Sequence, residues 1–305
     1  MKKIITVGII KSFIFGFTYL LVSRTLQKIA VWDLLAYRFL AAGITFFLFR
    51  LFGLIKVNIR EKKRSSLLWL SLFQPLGYYI FETVALSQIS SLLSGIIVAS
   101  TPLAVMALEQ VVLKEKTNLK QKAFLFLSTG GVILIAVLSG SDGVETTVAG
   151  LVFILLAVFS DACYTVCSRK ASETFTPTEM TYFMMLSGAF IFNIINVIRR
   201  GIQGTLSSYF SPLLDLSVLM PILYLGILAS AVGYLLYNYM LSQTQASHTV
   251  SFAGLITLIS IFAGVFINHE IFRWYHMIGT VCILLGVWGV TKFKEKETDK
   301  RLENH

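Results

Sequence analysis

Long apolar runs alternate with short polar and basic interruptions along the whole chain. The runs are too long and too continuous for the helices of a water-soluble core. A helix crossing the hydrocarbon of a bilayer needs about 20 predominantly apolar residues. Ten stretches qualify: 4–23, 33–55, 66–87, 91–113, 119–139, 148–168, 178–198, 217–241, 245–268 and 274–292. The third and fourth meet at Gln88-Ile89-Ser90, which demands a very tight connection. The pattern predicts an all-α integral membrane protein of ten transmembrane helices, with no stretch left for a separate soluble domain. Met1-Lys2-Lys3 followed by an apolar stretch resembles a secretory signal. Lys11 interrupts that stretch and no small-x-small cleavage site follows, so the expectation is an uncleaved first helix.

The pattern also repeats. Tyr19 to Arg24 (Tyr-Leu-Leu-Val-Ser-Arg) returns as Tyr164 to Arg169 (Tyr-Thr-Val-Cys-Ser-Arg), and Gly43 returns as Gly188 at the same offset. Leu86-Ser87-Gln88 returns as Leu241-Ser242-Gln243. Glu115 and Glu270, and Gly131-Val132 and Gly286-Val287, hold that second offset without gaps. The longer second offset fits the longer connection 199–217 in the second half. Each half then contains five helices: a first repeat over 4–139, a second over 148–292 and a charged tail over 293–305. An odd number of crossings forces the two copies into opposite orientations, related by a pseudo-two-fold axis in the membrane plane. Such halves have two near-equivalent conformations, the physical basis of alternating access around a site near the midplane.

Composition narrows the class. Hydrophobic residues make up 56% of the 305 and charged ones only 14%, where a soluble domain carries roughly 25% charged residues. That excludes soluble and disordered chains. The net charge of +10 is no nucleic-acid footprint, because the basic residues sit in clusters between apolar runs. With a cytoplasmic N-terminus, 19 of the 26 Lys and Arg fall on the inside and 6 outside, with Lys11 within the membrane. This asymmetry predicts both termini on the cytoplasmic side of the cell membrane. Cys163, Cys167 and Cys282 all lie inside apolar runs and resemble neither a disulfide framework nor a zinc site. No GxxxxGK[ST] loop and no HExxH occur, and His248, His269, His276 and His305 lack a ligand spacing. The expectation is no cofactor, no metal and no enzyme activity.

Ionised groups near the bilayer centre cost about 2.5–3.5 kcal/mol on insertion scales, so they face a cavity or a partner. Lys11 and Asp161 lie at similar depths on counterpart helices. Two readings stand: they bind opposite charges of a substrate, with Asp161 also able to carry a proton, or they pair with each other or Lys11 snorkels to the interface. Glu82 shares a helix side with Pro75 and Tyr78, and its counterpart is Tyr237, on a stripe with Ser230 and Tyr234. Aromatic rings flanking a carboxylate suit an amine; an interfacial aromatic belt is the other reading. Thr18, Ser94 and Thr101 complete the candidate cavity residues, with Thr249, Ala253, Ile256 and Ser260 on the ninth segment. Pro102 and Pro75 are candidate hinges. Glu109 is read as structurally paired. Glu115 and Glu270 are read as inter-helix locks at the helix ends, and Arg38 as capping or pairing with Asp33 at the outer mouth, with attraction of anions as its other reading. Gly130, Gly131, Gly286 and Gly289 read as close-packing positions on the fifth and tenth segments, with a homodimer contact there as a further reading.

Several residue groups together resemble the EamA family of the drug/metabolite transporter superfamily, as two tandem repeats. They are Tyr37-Arg38-Phe39-Leu40, Ala85-Leu86-Ser87-Gln88, Thr101-Pro102-Leu103, Leu113-Lys114-Glu115 and Gly131-Val132, with Gly254, Glu270 and Gly286-Val287 in the second half. Thr257 departs from the family pattern, in which proline often stands opposite Pro102. The resemblance implies a ten-helix fold and movement of amino acids, other metabolites, amines or drugs, often outward. The expected function is a secondary exporter of small metabolites such as amino acids or related amines, with protons as one candidate coupling ion. The alternatives are an exporter of drugs and cationic compounds, or a non-transporting membrane scaffold or receptor.

Overall fold

The computed structural model describes residues 2–59, 65–113, 119–141, 147–243 and 252–303. Among these residues the chain is helical almost throughout and contains no strand. The first apolar segment forms α1 (Lys2–Gly16) and α2 (Thr18–Leu26), interrupted at Phe17. The Thr18 hydroxyl spans that interruption by donating to the Phe15 carbonyl at 2.7 Å. α3 (Val31–Leu51) is continuous. The third segment is broken into α4 (Ser65–Ser71), a π-helical turn (Leu72–Gly77) and α5 (Tyr78–Leu86). After a four-residue link, Ser90 caps α6 (Ser91–Val98) by accepting from the Leu93 N–H at 3.2 Å. α7 (Thr101–Leu113) follows a turn at Ala99–Ser100, and α8 (Leu119–Ser141) closes the first half.

The second half begins with α9 (Val148–Ala171), whose first turn is capped by Thr147. α10 (Pro177–Ile202) starts with a capping box between Thr176 and Glu179 and with proline at its first position, where a missing N–H removes no helical hydrogen bond. α11 (Leu216–Leu223) and α12 (Tyr234–Gln243) flank a π-helical stretch (Tyr224–Gly233). α13 (Ala253–Phe262) ends in a π turn (Ala263–Ile267), and α14 is Trp274–Glu303. Asp215 caps α11; hydrogen bonds from Ser217 and Lys28 push its carboxyl down to about 2, so the cap stays ionised at any physiological pH.

Among the described residues, seven helical stretches are long and apolar enough to cross a membrane, and Ala253–Ile267 and Trp274–Gly289 are shorter apolar ones. The predicted third segment is not one continuous helix, because the π turn divides it. The start of the ninth segment, 245–251, lies outside the described residues, as do Glu115 and Thr249. Large apolar side chains such as Phe47, Trp69, Phe126, Phe190 and Trp288 point outward, a surface stable against lipid and not against water.

Contacts between the halves come in exchanged pairs. α3 packs on α10 and α8 on α14, each against its repeat counterpart. α5 packs on α9 while α12 packs on α1. α3 meets the π stretch 224–233 while α10 meets the π turn 72–77. α1 lies along α13 while α9 lies along α6 and α7. A two-fold relation between halves produces this exchange.

The α8–α14 crossing is close because glycines line it. A Cβ at Gly131 would lie 2.8 Å from the Gly279 carbonyl oxygen, and one at Gly286 would lie 2.7 Å from that of Phe124. Gly289 abuts the Phe124 ring. Three of the four glycines suggested for a dimer contact are therefore consumed within one chain, leaving Gly130 facing open space. Gly131→Leu is expected to destabilise the fold by about 1–3 kcal/mol, the usual cost of overpacking. A lowered thermal midpoint in detergent would register it, and an unchanged one would contradict the crossing.

Candidate functional site

Helices from both halves converge on one cavity with about 660 Å³ of atom-free space, its mouth included. α1 contributes Lys11 and Phe15, α2 Thr18 and Tyr19, α3 Arg38, and α5 Tyr78, Tyr79 and Glu82. α6 and α7 contribute Gly95, Val98 and Thr101. α9 gives Asp161, α12 Tyr234 and Tyr237, and α13 Ala253, Ile256 and Thr257. The walls are aromatic and aliphatic, with two cations and two carboxylates. A small polar molecule meets this kind of lining in a largely apolar pocket with a few placed polar groups.

Lys11 is buried on α1. Among the described residues its ammonium has no hydrogen-bond acceptor; it lies 4.5 Å from the centre of the Tyr237 ring. Cation–π attraction compensates part of the lost hydration. Asp161 faces the same space and accepts from Gln74 Nε2 at 2.9 Å. No ion pair within 4 Å joins Lys11 to Asp161 among the described residues, although the two charges act on one another across the cavity. The break in the third segment serves this contact. Gln74 leaves helical geometry (φ −144°, ψ 125°) just before Pro75, and its amide reaches Asp161. Ser160, the neighbour of Asp161, donates to the Phe73 carbonyl at 2.9 Å, which also accepts from the Tyr78 N–H across the π turn, so the break leaves this carbonyl bonded within protein.

Glu82 is buried and accepts from the Tyr78 hydroxyl at 2.8 Å. The Tyr237 hydroxyl shares a hydrogen bond with Thr165 at 2.7 Å, and Tyr234 packs edge-on against Phe15. Thr101 Oγ1 is buried and has no hydrogen-bond partner among the described residues.

Three expectations need correction. Arg38 does not pair with Asp33, which binds Arg199 at 2.8 Å and Arg200 at 2.7 Å. Arg38 lies one helical turn further along α3 and turns into the cavity. Its Nε donates to Ser230 Oγ at 2.9 Å and its guanidinium stacks 4.2 Å from the Tyr79 ring centre. Nη1 sits 3.9 Å from Glu82 Oε2, and neither atom has a hydrogen-bond partner among the described residues. Ser94 is fully buried and donates to the Ser90 carbonyl at 3.0 Å; its neighbour Gly95 lines the cavity instead. Pro102 is not within a continuous helix. It occupies the first turn of α7, after the turn that already separates α6 from α7. Thr257, opposite it in the repeat, reaches across to the Gly95 carbonyl at 3.2 Å.

Outside the cavity, Glu270 gathers the start of α6: its carboxylate accepts from the Leu92 N–H at 2.7 Å and from the Ser91 hydroxyl. Asn268 also donates to Glu270, and Arg24 donates to Asn268 Oδ1 at 3.0 Å. Glu109 is partly buried on α7 and is not among the cavity lining.

A family model described as the EamA-like transporter family matches residues 2–137 and again 148–292. The chain belongs to the EamA-like transporter family. It is thus a multi-pass membrane protein built of two tandem copies of one unit. It is 37% identical over 293 residues to an "Uncharacterized transporter YcxC" of Bacillus subtilis (strain 168), covering 96% of this chain and 94% of the relative. A "Probable amino-acid metabolite efflux pump" of Salmonella typhimurium is 22% identical over 211 residues, covering 68% of this chain and 69% of that protein. A solved structure titled "Crystal structure of protein" superposes with a TM-score of 0.68 at 14% identity, over 97% of this chain and 99% of the other; it shares the fold of this EamA-like transporter.

Proposed function

We propose that this transporter exports small metabolites, amino acids or related amines, across the cell membrane by alternating access. The carrying observation is a single cavity, lined by both repeats inside an apolar helical body, that presents Lys11 and Arg38 together with Asp161 and Glu82. Two charges of each sign match a zwitterion better than a phosphorylated sugar, which would call for several cations and no carboxylate. A purely cationic drug is disfavoured for a related reason, since Lys11 and Arg38 already occupy the Tyr237 and Tyr79 rings. On this reading the ten segments cross the membrane with both termini cytoplasmic, and the repeats lie in opposite orientations. The break at Gln74 in the third segment and the turn at Ala99–Ser100 in the fourth supply discontinuous helices of the kind common at transporter midplanes, and a π-helical stretch lies in the eighth. Asp161 is the first candidate carrier of a coupling proton.

Flux into proteoliposomes of purified protein, across amino acids, amines and phosphorylated sugars, tests the reading. Amino acids or amines are expected to move and sugar phosphates are not, and the imposed pH gradient reports the coupling. Specific binding without movement of any compound would support a receptor instead.

A further inference from the structure

The mismatch between Arg38 and Glu82 carries more than their charge. Both side chains are 2% exposed and line the cavity. Buried ions ordinarily close up on one another, because an unsatisfied charged group in low dielectric is expensive. Here Nη1 and Oε2 stop 3.9 Å apart, each lacking a hydrogen bond among the described residues. Both are held from behind: Arg38 by Ser230 and the Tyr79 ring, Glu82 by the Tyr78 hydroxyl on its other oxygen. A fixed donor and a fixed acceptor side by side are complementary to a ligand carrying an anion and a cation side by side. The ammonium nitrogen and a carboxylate oxygen of an α-amino acid are three bonds apart. The carboxylate can receive from Nη1 while the ammonium donates to Oε2.

We infer that Arg38 and Glu82 form the head-group subsite of this transporter and select substrates whose ammonium and carboxylate sit on one carbon. This rests on the transport reading above and narrows it. Lys11 and Asp161, further along the cavity, then meet the remainder of the substrate. Moving the ammonium one carbon away spoils the paired fit. Removing either charge leaves one buried protein group unpaired, the situation in which polar sites discriminate most strongly.

The test uses the full chain in proteoliposomes and four head groups on one side chain: leucine, β-leucine, isoamylamine and isocaproate. Phenylalanine, β-phenylalanine, phenethylamine and phenylpropanoate form a second series. The wild type is expected to move the α-amino acid of a series at least tenfold faster than the other three. Arg38→Lys keeps the charge and loses the planar fork; Glu82→Gln keeps the shape and the Tyr78 contact. Each is expected to reduce α-amino acid flux at least tenfold and to erase the α-over-β preference. Should either single variant fail to fold, Arg38→Gln with Glu82→Gln removes both charges together and is expected to lose the same preference. Equal handling of α and β isomers by the wild type, or an intact preference in the folded variants, overturns the inference and leaves the transport reading standing. No movement of any compound by the wild type removes both.

Discussion

Asp161→Asn is expected to lower substrate flux at least tenfold while leaving a folded protein. The replacement is nearly isosteric, and its side-chain carbonyl can still accept from Gln74 Nε2, the one hydrogen bond the wild-type carboxylate receives among the described residues. The contact that fixes the break in the third segment therefore survives. What disappears is a negative charge that faces the same cavity as Lys11 and acts electrostatically on that ammonium, which has no hydrogen-bond acceptor of its own among the described residues. A charged hydrogen bond to a substrate is worth about 1.5–3 kcal/mol, roughly a 10- to 150-fold change in affinity. A purely structural role makes a different prediction. If Asp161 only balances Lys11, the double replacement Lys11→Met with Asp161→Asn removes both charges and restores flux. With both groups contacting substrate, the double variant stays inactive. Initial rates in proteoliposomes, normalised to folded protein by circular dichroism, separate these outcomes. Asp161→Asn transporting within twofold of wild type would eliminate Asp161 from the site.

Much of this arrangement is written in the chain, and the missing parts have identifiable causes. Apolar run length and the two repeat offsets point to the helices and to the counterpart contacts, because both are properties of whole segments. Lys11, Glu82 and Asp161 stand out because an ion deep in an apolar run demands a polar neighbour. Arg38 was assigned to the rim because it lies close to the start of its run and Asp33 offered a nearby partner. Counting it with Lys11, Glu82, Glu109 and Asp161 gives two cations and three carboxylates within apolar runs, and that second cation is the available signal. The breaks were only half legible. Pro75 marks a disturbance, yet the non-helical residue is Gln74, whose displacement is explained by an acceptor 87 residues away. The interruption at Phe17 has no proline or glycine of its own to announce it, although Gly16 precedes it. The π stretch 224–233 likewise lacks a proline. Ser94 and Gly95 show the limit of facial reasoning. A helix that ends after eight residues does not carry one face far enough for spacing alone to choose between neighbours.

Asp33→Ala is expected to be the most destabilising single replacement considered, without altering transport by the protein that remains folded. Asp33 is 4% exposed on the first turn of α3 and accepts three hydrogen bonds from α10: Arg200 Nε at 2.7 Å, Arg199 Nη2 at 2.8 Å and Asn196 Nδ2 at 2.9 Å. One carboxylate thus joins the two repeats at that end of the α3–α10 pair. Arg200 also donates to the carbonyls of Thr205 and Ser208, so the same cluster anchors the connection that follows α10. Tyr37 strengthens the anchorage by donating to the Tyr209 carbonyl. Removing the carboxylate leaves two adjacent guanidinium groups without their counter-ion, and breaking a buried pair on one side costs about 3–5 kcal/mol. Partial exposure of Arg199, 24% at its side chain, puts the expectation at the lower end of that range. Lys28→Ala is the natural control. The Lys28–Asp215 pair is half exposed on both sides, solvent screens it, and its loss is expected to leave the thermal midpoint unchanged. Neither residue lines the cavity, so flux per folded molecule stays at the wild-type level in both variants. An Asp33→Ala protein that melts with the wild type would mean that the α3–α10 contact is held by apolar packing alone, through Phe39 and Phe192, whose ring centres lie 5.1 Å apart.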